Sequence, residues 1–195
     1  EKHQINATIA IVISNKDCDG IALAAARGLA TKVVKRSEFD NRRAHDAAIA
    51  SAIEDCHADY VFLAGYMAIL GSVFVDQFAG KLINIHPSLL PAFKGLDTHQ
   101  RAIDAGVKTH GVSIHLVNAA LDDGSLILQA SLAVAETDTA KVLASRVRQL
   151  EHQIYPFVLH SLAAQNVTLL PDRVIWHVTT LAATPADMQN ILAPC

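Results

Sequence analysis

The sequence has little of what builds disulfide frameworks and cysteine-based metal sites. Its three cysteines, Cys18, Cys56 and Cys195, are an odd set with wide spacing and no CxxC pair. This pattern argues against a disulfide framework and a cysteine-ligated zinc site, and it favours a reducing compartment. The chain also lacks an apolar run long enough to span a membrane, and its first residues lack a signal-peptide pattern. We therefore expect a soluble, cytoplasmic protein.

Excess charge is absent as well. Charged residues make up 18% of the 195 residues and the formal net charge is -3, so the sequence does not predict a nucleic-acid-binding face. Hydrophobic residues make up 51%, which argues against disorder and predicts a well-buried interior. The length suits one compact domain and is too short for two ordinary ones, so we predict a single domain over residues 1–195.

Short β-branched runs alternate with longer amphipathic runs, as in a parallel sheet covered by helices. The apolar runs at residues 7–14 and 60–64 predict strands that are buried on both faces. A long helix is predicted over residues 139–164, capped by Thr137 or Asp138. The predicted fold is therefore α/β, a Rossmann-like, doubly wound and mostly parallel sheet with helices on both faces.

The densest group of polar residues is INIHPSLLPAFKGLD, residues 83–97, which follows a predicted strand. Ligands of open α/β sheets bind beyond the carboxyl ends of strands. Asn84 and His86 are two residues apart on an extended backbone, so their side chains point to the same side, and Pro87 keeps His86 out of the helical region. A carboxamide and an imidazole can donate two hydrogen bonds to one developing oxyanion. Judged on these two residues alone, an alternative is equally favoured, in which Asn84 fixes a loop through hydrogen bonds and His86 is a structural histidine.

A second group of polar residues is THGVSIHLVNAALDDG, residues 109–124, in which Asp122 lies in the turn before Gly124. A carboxylate close to an imidazole favours the charged imidazolium and makes it an available acid near neutral pH. The alternative is turn chemistry, because Asp followed by Gly is a common turn sequence. On spacing alone, turn chemistry is the favoured explanation.

Ten histidines raise the question of a metal site. His110 and His115 are five residues apart on a presumed strand, so they would point to opposite faces. His86 and His99 are separated by a loop with proline and glycine that could fold either way. The sequence contains no HExxH motif and no Cys/His cluster, and we predict that the protein uses no metal.

Taken in order, INIHPSLLP, GLDTH, HGVSIHLV, LDDG, ILQA and LEHQIYP resemble the motifs of bacterial glycinamide ribonucleotide formyltransferases. The resemblance covers residues 7–167, with no evident gap from Arg42 onward. It implies a formyl transfer from 10-formyltetrahydrofolate, the co-substrate, to the amine of glycinamide ribonucleotide in purine biosynthesis. It also implies small-molecule partners, without nucleic acid or membrane, in a monomer or a homodimer.

The resemblance implies a role for particular residues. The catalytic residues would be Asn84, His86 and Asp122. The ribonucleotide would contact Pro87 and Glu151. The folate would contact Arg42, Met67, Ala68, Ile69, Leu70, Asn84, Asn118, Ala119, Ala120, Leu121 and Asp122.

Without the resemblance, several of these residues have ordinary structural explanations. The apolar stretch 67–70 would be core packing after a strand, and Glu151 would be a solvated residue of a helix. The sequence also departs from the family at Ala68, where the family often has arginine.

The family's first strand and its glycine-rich, phosphate-binding turn have no counterpart in the sequence. We expect the functional polypeptide to extend upstream of Glu1 by about one strand and one helix. One alternative is a 10-formyltetrahydrofolate hydrolase, whose family usually has a second histidine and a phenylalanine where this chain has Pro87 and Leu89. A methionyl-tRNA formyltransferase shares HPSLLP but carries an additional domain. A further alternative is a non-catalytic folate- or nucleotide-binding domain.

Overall fold

The computed structural model describes residues 5–177 and the backbone of residues 191–192. In chain order the elements are β1 (Val12–Ser14), α1 (Asp19–Ala26), β2 (Thr31–Val33), a 3-10 helix (Arg36–Glu38), α2 (Arg42–Asp55), β3 (Val61–Leu63), α3 (Ser72–Gln77), β4 (Leu82–His86), α4 (Thr98–Asp104), β5 (Thr109–Leu116), β6 (Leu126–Ala133), α5 (Ala140–Ala163), β7 (Val167–Leu170), β8 (Arg173–Trp176) and β9 (Ile191–Leu192). Within these ranges, no helix is long and apolar enough to cross a membrane.

The main sheet has five strands in the order β3-β4-β5-β6-β9, while β1 pairs with β2 and β7 pairs with β8. The pairs β1–β2 and β3–β4 are parallel, and β4–β5, β5–β6 and β6–β9 are antiparallel. The predicted α/β class is confirmed, but the described sheet is mixed and not mostly parallel. The connection between β5 and β6, residues 117–125, is too short for a parallel crossover, so this pair is antiparallel.

The strands predicted at residues 7–14 and 60–64 are shorter and more exposed than their sequences indicate. β1 and β3 have three residues each, all of them partly buried, and Ile9 is 54% exposed. In the described part of the chain, β1 pairs only with β2 and β3 only with β4. Burial of both faces was therefore a wrong prediction here, because an apolar run becomes buried only where neighbouring elements cover it.

The larger core lies between the main sheet and α5. Its fully buried side chains include Val112 and Ile114 of β5 and Leu143, Val147 and Val158 of α5. The spacing of the α5 residues places them on one face of the helix. Burial of such side chains stabilises a fold by about 1.5–3 kcal/mol each, and this core holds β5 rigidly beside β4.

The N-cap of α5 is Thr139, whose hydroxyl oxygen accepts a hydrogen bond from the Val142 backbone N–H at 3.3 Å. The predicted caps, Thr137 and Asp138, are therefore wrong by one or two residues. The carboxylate of Asp138 instead accepts hydrogen bonds from the Ala135 backbone and from Arg146. Pro156 lies inside the helix.

A second core surrounds α2. Ile49 and Ile53 of this helix are buried together with Leu82 at the start of β4, and Ile13 and Val61 pack against the same cluster. One helix thus carries both the β1–β2 pair and the β3–β4 pair. This arrangement brings the loop that follows β3 close to the start of α2.

Candidate active site

The carboxyl end of β4 presents Asn84 and His86, which lie on the extended strand as the sequence predicts. His86 is 6% exposed. The following loop, residues 87–97, is fixed to β5, because Ser113 Oγ donates to the Ser88 carbonyl at 2.7 Å and accepts from the Leu90 N–H at 3.0 Å. The two polar side chains of β4 are therefore held on a rigid part of the fold.

The structure brings the three predicted catalytic side chains into one cluster. His86 Nδ1 lies 3.4 Å from Asp122 Oδ2. Asn84 joins them through His115, whose Nε2 lies 3.2 Å from Asn84 Nδ2 and 3.8 Å from Asp122 Oδ1. The carboxylate is 9% exposed at its side chain, so water screens its charge only weakly.

Asp122 links two loops, because its Oδ2 also accepts a hydrogen bond from the Gly95 backbone N–H at 2.9 Å. Asp122 has a left-handed backbone with φ of 47°. A turn explains this backbone conformation. The described side-chain contacts of Asp122, however, are with Gly95 of loop 87–97 and with His86 and His115, and not with its own turn. Loop 117–125, which carries Asp122, thus delivers a carboxylate to the end of β4.

Gly124 is required for this delivery. A Cβ atom at position 124 would lie 1.8 Å from the carbonyl oxygen of Leu116, much closer than two atoms can approach. Loop 117–125 therefore crosses directly against the end of β5.

The second ring nitrogen of His86 also has a protein partner. Nε2 donates to the backbone carbonyl of Phe93 at 3.0 Å. Since Nδ1 faces Asp122, both nitrogens of His86 are engaged within the protein. His86 can give a hydrogen bond to a bound molecule only if one of these contacts is exchanged for it.

His115 is a site residue that the sequence did not reveal. Its Nδ1 lies 2.7 Å from the Leu116 carbonyl, which can only accept, so Nδ1 carries a proton. Burial lowers the pKa of His115, and the neutral ring then accepts a hydrogen bond from Asn84 through Nε2. The sequence treated His115 only as a possible metal ligand. The signal that it faces Asn84 is the antiparallel register of β4 and β5.

His99 and His110 form a separate pair behind loop 87–97. His110 Nε2 lies 3.2 Å from His99 Nδ1, and the two rings contact edge to face. Burial, with a smaller effect of His99, lowers the pKa of His110 to about 4. The residues that the structure describes contain no group of three or more His, Cys, Asp or Glu side chains placed to hold a metal ion.

The apolar stretch 67–70 follows β3 in the loop formed by residues 64–71. Met67 is 76% exposed and Ile69 is 71% exposed, whereas Leu70 packs against the second core. The core-packing alternative is therefore right for Leu70 and wrong for Met67 and Ile69. Ala68 is also exposed. Two large apolar side chains on an exposed loop offer a surface for a flat apolar ligand.

Arg42 begins α2 at the edge of this loop. Its Nε lies 3.6 Å from Asp46 Oδ2, and the same oxygen accepts from the Gly71 N–H at 2.9 Å. A positive charge thus lies at the end of loop 64–71. Arg42 and the end of the loop at Gly71 thus share one partner, the carboxylate of Asp46.

Loop 117–125 presents the remaining predicted folate contacts. Ala119, Ala120 and Leu121 are exposed, with Leu121 at 59%. Asn118 uses its side chain inside the loop, since Oδ1 accepts from the Ala120 N–H at 3.0 Å and Nδ2 donates to the Asp123 carbonyl at 3.2 Å. Its described contacts indicate that Asn118 shapes the loop.

Glu151 and Pro87 lie on different elements. Glu151 belongs to α5 and is partly buried, and burial raises the pKa of its carboxyl group. A fully solvated helix residue is therefore the wrong description of Glu151. Pro87 follows His86 directly in the chain and is partly buried.

Comparison with known proteins gives these residues a family. The family model described as formyl transferase matches residues 1–159 of the chain. The chain belongs to the formyl transferase family. The chain is 44% identical over 156 residues to phosphoribosylglycinamide formyltransferase of Haemophilus influenzae, an alignment that covers 80% of this chain and 74% of the relative.

Further similarities of this formyl transferase are to a purine biosynthetic protein and to a solved phosphoribosylglycinamide formyltransferase structure. The trifunctional purine biosynthetic protein adenosine-3 of Bos taurus is 42% identical over 172 residues, covering 87% of this chain but only 17% of that longer protein. The structure of phosphoribosylglycinamide formyltransferase (purN) from Coxiella burnetii in complex with CHES has a TM-score of 0.83 at 40% identity, covering 87% of this chain and 81% of the other. The resemblance read from the sequence, the enzyme class that it implies and the α/β fold are confirmed.

Proposed function

We propose that this formyl transferase moves the formyl group of 10-formyltetrahydrofolate to the amine of glycinamide ribonucleotide. The observation that carries the proposal is the cluster of Asn84, His86 and Asp122 at the carboxyl end of β4. This cluster supplies the hydrogen-bond donors and the charge that formyl transfer to an amine needs, without a covalent intermediate on the enzyme.

In this proposal Asn84 stabilises the oxyanion that forms when the amine attacks the formyl carbon. One of its N–H groups is directed at His115, and the other is free to donate to the oxyanion. His86 provides the second donor and the proton for the departing folate nitrogen. It does so by exchanging its contact with the Phe93 carbonyl for a contact with the substrate.

Asp122 supports both steps. Its carboxylate, 3.4 Å from His86 Nδ1, stabilises the imidazolium form, which is the form that can donate a proton. The same carboxylate can accept the proton of the attacking amine through a water molecule. Because Asp122 is held by the Gly95 N–H, it reaches His86 without a change of the loop backbone.

The folate-binding residues are proposed on chemical grounds. A folate has a flat ring system and a carboxylate-bearing tail. The exposed Met67 and Ile69, together with Leu121, suit the rings, and the guanidinium of Arg42 suits a carboxylate. Asn118, Ala119 and Ala120 contribute the backbone of the loop that carries Leu121 and Asp122. Ala68 contributes only its backbone in this proposal.

Glu151 and Pro87 are proposed to contact the ribonucleotide. A partly buried carboxylate can accept hydrogen bonds from ribose hydroxyls or from an amine. Burial raises the pKa of Glu151 because it disfavours the charged carboxylate. Hydrogen bonds from hydroxyl groups would stabilise that charged form. Pro87 is proposed because it follows the catalytic candidate His86 directly in the chain.

The phosphate of the ribonucleotide has no partner among these residues. We propose that an upstream strand and its glycine-rich turn bind it. The open edges of β1 and β3 support this proposal, since both strands pack on α2 and each lacks one strand neighbour in the described structure. The test compares ribonucleotide binding by the 195-residue chain with binding by a chain extended at the N-terminus. Intact-mass measurement verifies both chains.

A turnover assay with both substrates tests the function directly. Formation of formylated glycinamide ribonucleotide, dependent on 10-formyltetrahydrofolate, is the expected result. Formate release without the ribonucleotide would instead identify a hydrolase. Folate binding without either reaction would identify a non-catalytic binding domain. The assay uses the N-terminally extended chain in parallel, so that a missing phosphate site is not mistaken for a missing activity.

A further inference from the structure

Asp46 is a buried carboxylate outside the catalytic cluster. It lies in the first half of α2 and is 6% exposed. Its Oδ2 accepts a hydrogen bond from the Gly71 N–H at 2.9 Å and lies 3.6 Å from Arg42 Nε. A buried charge is costly unless partners compensate it, so this carboxylate and its partners form a defined structural unit.

His45 is a further neighbour of Asp46, but it does not donate a hydrogen bond to the carboxylate. His45 Nδ1 lies 3.7 Å from Asp46 Oδ1, but His45 Nε2 donates to the Val34 carbonyl at 2.8 Å. In the neutral ring, Nδ1 then has no proton to offer. The Gly71 N–H therefore provides the hydrogen bond to Asp46, and Arg42 provides the opposite charge.

The carboxylate also lies close to the start of the same loop. Tyr66 is partly buried, and its pKa is raised by burial and, to a smaller extent, by the negative charge of Asp46. Asp46 thus lies beneath loop 64–71 near Tyr66 and binds its end at Gly71. Between these points Met67 and Ile69 are almost free of protein contacts, at 76% and 71% exposed.

We propose that Asp46 is a positioning residue for the folate co-substrate. Its single carboxylate holds the backbone of loop 64–71 and orients the Arg42 guanidinium, so that the apolar and the cationic parts of the folate site keep a fixed distance. This inference rests on the proposed function. It adds a residue that has no contact with the folate itself.

The physical benefit is preorganisation. A loop whose apolar residues are exposed must be ordered when a ligand binds, and this ordering opposes binding. A loop that is already fixed at Gly71 avoids part of this cost. Geometry supports the coupling, since a Cβ atom on Gly71 would lie 2.8 Å from Asp46 Oδ2 and 3.9 Å from Arg42 Nε.

Two substitutions separate the two contacts. Asp46→Asn keeps an oxygen that can accept from the Gly71 N–H but removes the charge that orients Arg42. Asp46→Ala removes both. We expect the KM for the folate to rise about tenfold in Asp46→Ala, with a smaller rise in Asp46→Asn. The kcat and the KM for the ribonucleotide should stay within about twofold, because the catalytic cluster is untouched.

Asp55→Asn is the matched control. Asp55 ends the same helix, is exposed, and its removal changes the net charge by the same amount. It should leave all three kinetic constants unchanged. An equal loss of kcat in both Asp46 variants, or an unchanged KM for the folate in both, would overturn the inference.

Two further measurements keep the inference testable if Asp46→Ala does not fold. Calorimetric titration with tetrahydrofolate should show weaker binding to Asp46→Asn than to the unsubstituted enzyme. Amide hydrogen exchange at Gly71 should stay close to that of the unsubstituted enzyme in Asp46→Asn, because the amide oxygen still accepts from the Gly71 N–H. If the unsubstituted enzyme binds no folate, the proposed function fails and this inference with it. If it binds folate and Asp46→Asn binds equally well, only the inference fails.

Discussion

The side-chain amide of Asn84 lies 3.2 Å from Nε2 of His115, and the two residues face each other across β4 and β5. The Leu116 carbonyl fixes the proton of His115 on Nδ1. In the neutral ring, Nε2 can therefore only accept a hydrogen bond. The amide of Asn84 must then turn its NH2 group toward His115. The orientation of a proposed catalytic donor is thus determined by a residue on the neighbouring strand.

His115→Phe should lower kcat about tenfold and leave the fold intact. Phenylalanine fills the buried space but cannot accept a hydrogen bond, so the amide of Asn84 loses its fixed orientation. Steady-state kinetics with both substrates measures the effect. His152→Gln, at an exposed position of α5, is the control and should behave like the unsubstituted enzyme. An unchanged kcat in His115→Phe would show that Asn84 does not depend on His115.

His86→Ala should reduce turnover by about a hundredfold or more while folate binding persists. The role proposed for His86 is in the transition state, and loss of one such donor typically has an effect of this size. Single-turnover kinetics and calorimetric titration with tetrahydrofolate measure the two quantities separately. Near-normal turnover in this variant would exclude His86 as the donor.

Asp122→Asn should lower kcat by at least about tenfold at neutral pH. The amide oxygen can still accept from the Gly95 N–H, so the loop is retained, but the negative charge 3.4 Å from His86 Nδ1 is lost. Asp123→Asn is a closely matched control, because Asp123 is the adjacent carboxylate and pairs with Lys94 at the surface. Equal kinetic effects of the two substitutions would contradict a specific role of Asp122.

The free energy of unfolding should fall between pH 6.5 and about 4. The pKa of His110 is lowered from 6.5 to about 4 by burial, so in this window the unfolded chain binds more protons than the folded one. Its contribution to stability is therefore fully present above pH 6.5 and is lost as the pH falls. Urea unfolding at pH 7 and pH 4.5 should show a smaller difference for His110→Gln than for the unsubstituted protein. An identical pH dependence would contradict this.

Local sequence patterns predicted the geometry of the residues that lie on one strand. Asn84 and His86 share a side because β4 is extended, and the alternation rule needs no other information. Such rules did not predict the contact between Asp122 and His86, because spacing alone favoured a turn as the role of Asp122. It followed only from the family resemblance, because 36 residues separate the two positions.

Cross-strand pairing explains what the sequence could not predict. His115 faces Asn84 because β5 runs antiparallel to β4 in one particular register, and a shift of one residue would turn His115 away. The exposure of Ile9 has a similar origin, because burial of a strand depends on its neighbours and not on its own composition. Thr139 as the cap of α5 is a local feature, and there the sequence was wrong by only one or two positions.

The close approach of Gly124 to Leu116 divides loop 117–125 into two halves with different tolerance to change. In the second half, a side chain at position 124 would displace the carbonyl that fixes the proton on His115, so a substitution there would disturb Asn84 from the far side of the cluster. In the first half, Ala119 and Ala120 are exposed and their side chains meet no such limit. Substitutions at these two alanines are therefore expected to leave the contacts of Asp122 with His86 and Gly95 in place.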